Sequence, residues 1–474
     1  MSTLEIANTS GEKTAVHTEA LDALESKLRG SLIRSDDENY DDARRLWNGM
    51  FDKRPSVIVC CEDVADVIDA VRFSRERNLV VALRGGAHNV AGLASYDAGF
   101  IIDLSRMRAV HVDAQARTAL VEAGAQLGDI DRETQTFGLV VPTGVVSETG
   151  IAGLTLNGGV GWLRRKWGMT CDNLLSVELV TGDGNLITAS KTRNEDLFWA
   201  LRGGGGNFGV VTSFEFALHP LGPEVMFCFV MYPANRDIMH NFREYARNEP
   251  DEVAVLSFTG TVAEDENFPR NWWQKQFFAV AACYAGPPDE GERIMQPLRE
   301  LGTQIVDFSG RMAFTEVQKF LDADYPEGRN YYWKSLYLRE ITDETIDTIL
   351  ELNAKAPSHH STIDIWTMGG ALNRIGADDS PLSSREAPFM IGVEANWDDL
   401  LDNERNIAWV HECVNRLARF SAPGIYLNFP GFLEEADELV QEAYGANLKR
   451  LAEVKKKFDP DNFFHVNQNI RPAP

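Results

Sequence analysis

Leu79-Val80-Val81-Ala82-Leu83-Arg84-Gly85-Gly86-Ala87-His88-Asn89 is the stretch that decides the fold of this chain. Its first five residues form an unbroken apolar run, the pattern of a strand buried on both faces. Upstream, 57–61 form a second such run. Between them, 63–77 carry Val64, Val67, Ile68 and Val71 at helical spacing behind Asp63, a candidate cap. Strand, helix and strand make a β-α-β unit, and the glycine pair leaves its carboxyl end, where open α/β layers hold ligands. Gly85 and Gly86 lack a Cβ, so the backbone can turn sharply and approach a ligand closely. Two readings stand at this point: His88 is held at a fixed distance from a bound ligand, or the segment is an ordinary turn with a surface histidine.

Working outward, short β segments are expected at 100–104, 110–112 and 118–123, followed by a helix from Leu127 that Gly138 closes. The strand at 176–181 ends in Gly182-Asp183-Gly184, a hairpin signal. Asn194-Glu195-Asp196 caps a short helix, and 210–216 alternates as a half-buried strand. Near Pro220 the texture changes. Glycine clusters thin out, and β runs at 226–231, 253–259 and 277–283 alternate with acidic helices such as 340–352. The fold class is therefore α+β, with an antiparallel sheet covered by helices in the second half.

A chain of 474 residues with 44% hydrophobic content supports more than one core. Its net charge of −25 argues against nucleic acid or an anionic membrane surface as partner, because both would be repelled. The six cysteines are scattered without CxxC or Cys/His spacing, so neither a zinc site nor a disulfide framework is expected. The pair His359-His360 lacks a third ligand at suitable spacing and reads as a solvated loop, so no metal is expected. The first residues lack the apolar core of a secretory signal, and no apolar run is long enough to span a bilayer. A cytoplasmic protein without an obligate protein partner is the expectation.

Three glycine-rich elements fall within the first 210 residues: Gly85-Gly86, the 150–161 region, and 203–206. Each exposes backbone N–H groups to an anion, and together they point to a large ligand with a pyrophosphate held by main-chain donors. A Walker loop is absent, and Gly159-Val160-Gly161 continues as Trp162-Leu163-Arg164, which does not fit the GxGxxG fingerprint. The wording of these elements resembles the berberine-bridge-enzyme-like group of the vanillyl-alcohol-oxidase superfamily, with its PCMH-type FAD-binding domain. The matching text is Arg84-Gly-Gly-Ala-His88-Asn, Pro142-Thr-Gly144, Gly150-Ile-Ala-Gly153-Leu-Thr-Leu and Gly158-Gly-Val-Gly161-Trp-Leu. It continues through Leu201-Arg-Gly-Gly-Gly-Gly-Asn-Phe-Gly209 and 464–470.

The resemblance implies a two-subdomain FAD-binding domain over 16–219 after a flexible tail at 1–15. A substrate-binding domain over 220–430 follows, and 431–474 return to the FAD-binding domain. It implies FAD held by Arg84, Gly85, Gly86, Ala87, Asn89, Gly144, Gly150, Gly153, Leu154, Thr155, Gly158, Gly161, Gly206, Val210, Asn467 and Asn469, with His88 bonded covalently to the flavin. Many relatives carry a second tether, a cysteine, where this chain has Val146; a valine cannot form that bond, so His88 is expected to be the only link. Asn157 stands where a glycine is usual.

The implied reaction moves hydride from an alcohol, sugar or phenolic substrate to the flavin and reduces O2 to H2O2. The alternatives are a dehydrogenase with a non-oxygen acceptor and a redox-neutral flavoprotein. Tyr426, in Tyr426-Leu427-Asn428-Phe429, matches the family's Tyr-x-Asn arrangement and is the candidate base. As a strand, this segment would put Asn428 on the same face as Tyr426. A tyrosine needs a cation or the flavin field to serve as a base near neutral pH. Alternation likewise groups Asp364, Trp366 and Met368 as candidate lining for the substrate cavity.

Overall fold

The structure, a computed structural model, describes residues 2–376, 378–383, 385–432 and 436–474. The apolar runs of the sequence become a four-stranded sheet ordered Ser31–Arg34, Val57–Cys60, Phe100–Asp103, Val81–Arg84. The last three strands run parallel, with Cys60 and Arg84 both level with Asp103 at their carboxyl ends. Both faces are covered, so Val57, Ile58 and Val59 are fully buried, which is why the sequence shows no alternation there. The helix Val64–Glu76 packs on one face through Val67, Ala70 and Val71. Asp63 caps it, accepting the Asp66 N–H at 3.0 Å.

A five-stranded antiparallel sheet follows, ordered Leu186–Ser190, Leu174–Val180, Val210–Ala217, Thr118–Glu122, Val110–Asp113. The Gly182-Asp183-Gly184 turn joins its first two strands as a hairpin. Asn194 does not cap by its side chain. It adopts a left-handed conformation (φ 50°), and its amide donates to the Thr188 carbonyl instead.

The largest sheet is antiparallel and has nine strands. Its central run is Glu224–Pro233, Gln276–Tyr284, Val253–Thr261, Thr362–Thr367, Phe389–Trp397 and Asn330–Leu338. The helices Arg236–Ala246, Asp343–Asn353 and Asn403–Leu417 cover one face, where Ile363, Ile365, Ile391 and Val393 meet Phe242, Ile349 and Trp409. The alternate residues, among them Leu256, Trp366 and Met390, point to the other face and join the core shared with the glycine-rich half. The helix Leu448–Phe458 packs against Glu195–Leu201.

Besides the Asn194 cap, two expectations change. Residues 1–15, expected to be a flexible tail, hold the hairpin Thr3–Ala7/Lys13–His17, which buries Ile6 and Val16. Apolar side chains at alternate positions, not visible in so polar a stretch, give that hairpin a core-facing side. Tyr426-Leu427-Asn428-Phe429 is not a strand either. It is a turn closed by the Phe429 N–H to the Tyr426 carbonyl at 2.9 Å.

A buried polar clamp joins the large sheet to the glycine-rich half. Arg164 Nε donates to the Thr367 carbonyl at 2.8 Å, and Arg165 donates to the carbonyls of Glu249 and Met368. The Arg165 guanidinium also lies 2.6 Å from Glu249 Oε1, which accepts from Thr367 Oγ1 at 2.8 Å. Replacing Glu249 by alanine strands a buried guanidinium without its anion, at a cost of about 3–5 kcal/mol. The thermal unfolding midpoint is expected to fall clearly in E249A and less in E249Q, which keeps the Thr367 bond. Calorimetry of the three proteins checks that order.

Candidate active site

The glycine-rich elements converge because backbone meets backbone. A Cβ on Gly86 would lie 2.6 Å from Gly150 Cα and N, and one on Gly150 would lie 2.5 Å from Gly86 N. Glycine at both positions is the condition for that approach. The resulting cavity runs from the end of the small sheet to the inner face of the large one. Arg84, Gly85, Gly86, Ala87, His88, Asn89, Gly144, Gly150, Gly153, Leu154, Gly206, Val210 and Asn467 line its glycine-rich half.

The other half is lined by Leu256, Tyr325, Trp333, Trp366, Met390, Glu394, Tyr426, Asn428 and Phe429. Several expected residues stand behind these walls. Gly158 (φ 109°) would place a Cβ 3.8 Å from Tyr426 Cε2, and Gly161 packs under the Thr143 carbonyl. Thr155 is buried in the helix Ile151–Leu156. Asn469 and Asp364 are not cavity-lining residues, and Met368 is turned away, its carbonyl held by Arg165. The strand Thr362–Thr367 ends before Met368, so the alternation that orients Trp366 no longer applies.

The cavity holds polar atoms without partners among the described residues, the mark of a site shaped for a polar ligand. Arg84 is buried and bonded through Nη1 to the Ala43 carbonyl and Asp103, while its Nε and Nη2 have no partner. Asn467 Oδ1, Gln468 Nε2 and Asn157 Oδ1 are likewise unpartnered. The C-terminal wall is fixed by Lys455, fully buried in the helix Leu448–Phe458. Its Nζ donates to the Asn207 carbonyl at 2.7 Å, the Phe464 carbonyl at 2.9 Å and Asp459 at 2.6 Å. Asn467 Nδ2 donates to the Gly206 carbonyl at 3.2 Å. Arg84 Nε and Nη2 and Gln468 Nε2 are donors suited to a pyrophosphate, Asn467 Oδ1 and Asn157 Oδ1 are acceptors, and a long ligand with a flat ring fits this Cβ-free cradle.

His88 stacks on Trp47, with ring centroids 3.9 Å apart, and Trp47 stacks in turn on Tyr331 at 3.8 Å. Its Nε2 is buried and unpartnered. Burial pulls the imidazole pKa down to about 4, so the ring is neutral at physiological pH. Tyr426 Oη accepts the Val160 N–H at 3.0 Å and Asn428 Nδ2–H at 2.9 Å. Burial nevertheless pushes the phenol up to about 12, so it stays protonated.

Glu394 is the charged residue that sequence reading passed over. It accepts from Tyr325 Oη at 2.8 Å and is hydrogen-bonded to Asp364. Burial and the neighbouring acid hold Glu394 well above the usual carboxylate range, and burial lifts Asp364 to about 7. The available signal was its place in the apolar strand Phe389–Trp397, where an acid is costly unless paired. Val146 lines the cavity, and its loop is latched by Asp322, which accepts from Ser147 N at 2.8 Å and Ser147 Oγ at 2.6 Å. The rings of His359 and His360 lie 3.9 Å apart at a tilt of 42°, and His360 engages Asp398. All six cysteines are buried and free.

Comparison with known proteins names the class. Residues 55–190 match the FAD binding domain family model, and 425–471 match the berberine and berberine-like model. The chain is 30% identical to an FAD-linked oxidoreductase of Dictyostelium discoideum, over 94% of this chain and 95% of that one. It is also 30% identical to the (R)-6-hydroxynicotine oxidase of Paenarthrobacter nicotinovorans, over 94% and 97%. The crystal structure of 6-hydroxy-D-nicotine oxidase from Arthrobacter nicotinovorans superposes with a TM-score of 0.82 at 28% identity, covering 94% and 98%. The fold and cavity are those of an FAD-linked oxidoreductase. The chain belongs to the berberine-bridge-enzyme-like family of these enzymes, and its cofactor is FAD. Among the described residues no helix is long and apolar enough to cross a membrane.

Filling the Gly86–Gly150 contact tests the cradle. G86A places a methyl against backbone that has no flexible end to yield, an overpacking cost of about 1–3 kcal/mol. The purified variant is expected to carry less flavin per chain than the wild type, read as the flavin-to-protein absorbance ratio.

Proposed function

We propose that this chain is an oxidase that holds FAD covalently through His88 alone and oxidises a small molecule at a carbon bearing oxygen or nitrogen. When bound, FAD supplies the acceptor for a hydride from that carbon and passes the electrons to O2, yielding H2O2. The observation that carries the reading is the neutral His88 ring of the cavity wall, stacked on Trp47 and with a buried nitrogen that has no partner among the described residues. A neutral imidazole keeps the lone pair that a bond to carbon requires. Val146, which has no nucleophilic atom, stands in the same cavity and supports a single tether.

In this reading the proton from the substrate heteroatom goes to the Glu394–Asp364 pair. Burial lifts Asp364 to about 7 and holds Glu394 well above the usual carboxylate range, so the pair keeps its acceptor on Asp364 near neutral pH, where a general base works best. Tyr426 is reassigned. A phenol held near 12 is a poor proton acceptor, so its O–H, free to donate while Val160 and Asn428 occupy its lone pairs, orients the substrate heteroatom. Asn428 sets the direction of that hydroxyl. The domain division proposed is an FAD-binding part over 16–219 and 431–474 and a substrate part over 220–430. The large sheet supports this by contributing most of the substrate-side wall.

Acid precipitation followed by peptide mass analysis tests the tether. Flavin is expected to stay with the pellet on the peptide containing His88, and H88A is expected to release all of its flavin to the supernatant. Flavin found on a cysteine would refute the single linkage. Rapid reoxidation of the reduced protein in air separates the oxidase from a dehydrogenase, which would need an artificial acceptor.

A further inference from the structure

The substrate half of the cavity has a chemical bias beyond its place over the cofactor. Glu394 lines it, hydrogen-bonded to Asp364 from the neighbouring strand, and Asp364 Oδ1 is buried without a partner among the described residues. Gly392 clears the space between these acids and the aromatic wall. A Cβ there would stand 3.4 Å from Glu394 Oε1, 3.5 Å from Asp364 Cβ and 3.7 Å from Phe429 Cε2. Phe429 sits at the centre of that wall, with ring centroids 5.2 Å from Trp333, 5.4 Å from Tyr426 and 6.4 Å from Trp366. Tyr325 closes it, 5.5 Å from Trp333. Among the described lining residues the one fixed cation is Arg84, which is held at the other end by Ala43 and Asp103; behind the wall the Arg164 guanidinium lies 5.2 Å from the Trp366 ring centre and is spent on backbone carbonyls.

We propose that the Glu394–Asp364 pair and the rings of Tyr325, Trp333, Trp366 and Phe429 form a subsite for a protonated amine carried by the substrate. The substrate class is a compact, largely apolar amine. Aromatic faces attract a cation through their quadrupoles, and a desolvated carboxylate supplies the charge-assisted hydrogen bond. Two buried acids side by side keep a proton while the site is empty, and a cation brought against them favours their ionisation. The same pair then receives the ammonium proton, leaving the neutral nitrogen with its lone pair.

A sugar fits less well. Trp333 Nε1 is spent on Asn396 Oδ1 at 2.7 Å, the Tyr325 hydroxyl is spent on Glu394, and Leu256, Met390 and Phe429 offer no polar side-chain atom, which leaves the acid pair, the Tyr426 hydroxyl and Trp366 Nε1 as partners for a ligand. A sugar with more hydroxyls than these few groups serve would leave the remainder without replacement for their water partners.

This inference rests on the oxidase reading for the location of the substrate, and equilibrium binding tests it without turnover. Isothermal titration of the anaerobic, FAD-loaded protein compares 2-phenylpropan-2-ammonium, a cation with N–H donors whose amine carbon has no hydrogen to lose, with 2-phenylpropan-2-ol, a neutral molecule of the same shape. The ammonium is expected to bind about tenfold tighter or more, and E394Q and D364N are each expected to erase most of that preference without changing flavin content. Equal binding of the two probes by the wild type overturns the proposal, as does an unchanged preference in E394Q. The wild-type comparison stands even if a variant fails to fold. A protein whose flavin bleaches with alcohols or sugars but which binds both probes alike loses the amine subsite and keeps the oxidase reading. One that prefers the ammonium but whose flavin no donor bleaches does the reverse.

Discussion

The contact between Gly86 and Gly150 is the constraint on which the site depends. Two backbone segments from separate parts of the chain meet where a Cβ on either would lie about one bond length too close. That contact sets the loop after Arg84 against the start of the helix Ile151–Leu156 and fixes where His88 emerges. The rest of the cofactor wall is hung from it. Arg84 is anchored to Ala43 and Asp103, and the loop at 203–209 is tied through Lys455 and Asn207 to the C-terminal turn. The donors left unpartnered in the cavity follow from this rigid frame, since neither backbone nor arginine can turn to satisfy them locally.

The substrate side is carried by a different unit, and two polar connections and one aromatic stack hold it in place. The Arg164–Arg165–Glu249 clamp, the Asp322–Ser147 latch and the stack of Trp47 between His88 and Tyr331 each join residues far apart in sequence. Buried ion pairs add little net stability over apolar packing, but they tolerate few alternative arrangements. Here they define how the large sheet meets the glycine-rich half, and so how far Glu394 and Trp366 stand from His88. Gln318, donating to the Gly144 carbonyl at 2.9 Å, adds a fourth tie next to Val146.

Burial divides the chemistry among the titratable groups. The same desolvation keeps His88 neutral, Tyr426 protonated and the Glu394–Asp364 pair partly protonated. Each group therefore presents one form near neutral pH: a lone pair at His88, a donated hydrogen at Tyr426, and a carboxyl pair able to exchange a proton. The Tyr-x-Asn motif alone suggests a base at Tyr426. Burial outweighs the two N–H donors that would favour the phenolate, keeps the hydroxyl protonated and favours a hydrogen-bonding role instead.

Local chemistry determined much of this from sequence. The apolar runs ending at Cys61 and Leu83, the capped helix after Asp63 and the glycine loops are legible because their signals lie within a few residues, and the glycines matter through backbone conformation, which neighbours set. The alternation over 362–367 likewise placed Trp366 on the inner face. What the sequence could not carry was anything that depends on what stands opposite. Glu394 looks like one acid among many until Asp364 and Tyr325 close around it. Met368 leaves the cavity because its strand ends, Tyr426 meets Asn428 through a turn and not a strand, and the N-terminal segment becomes a hairpin because a core awaits Ile6. Pairing, burial and proton affinity are properties of residues brought together from distant parts of the chain, and only tertiary packing decides them.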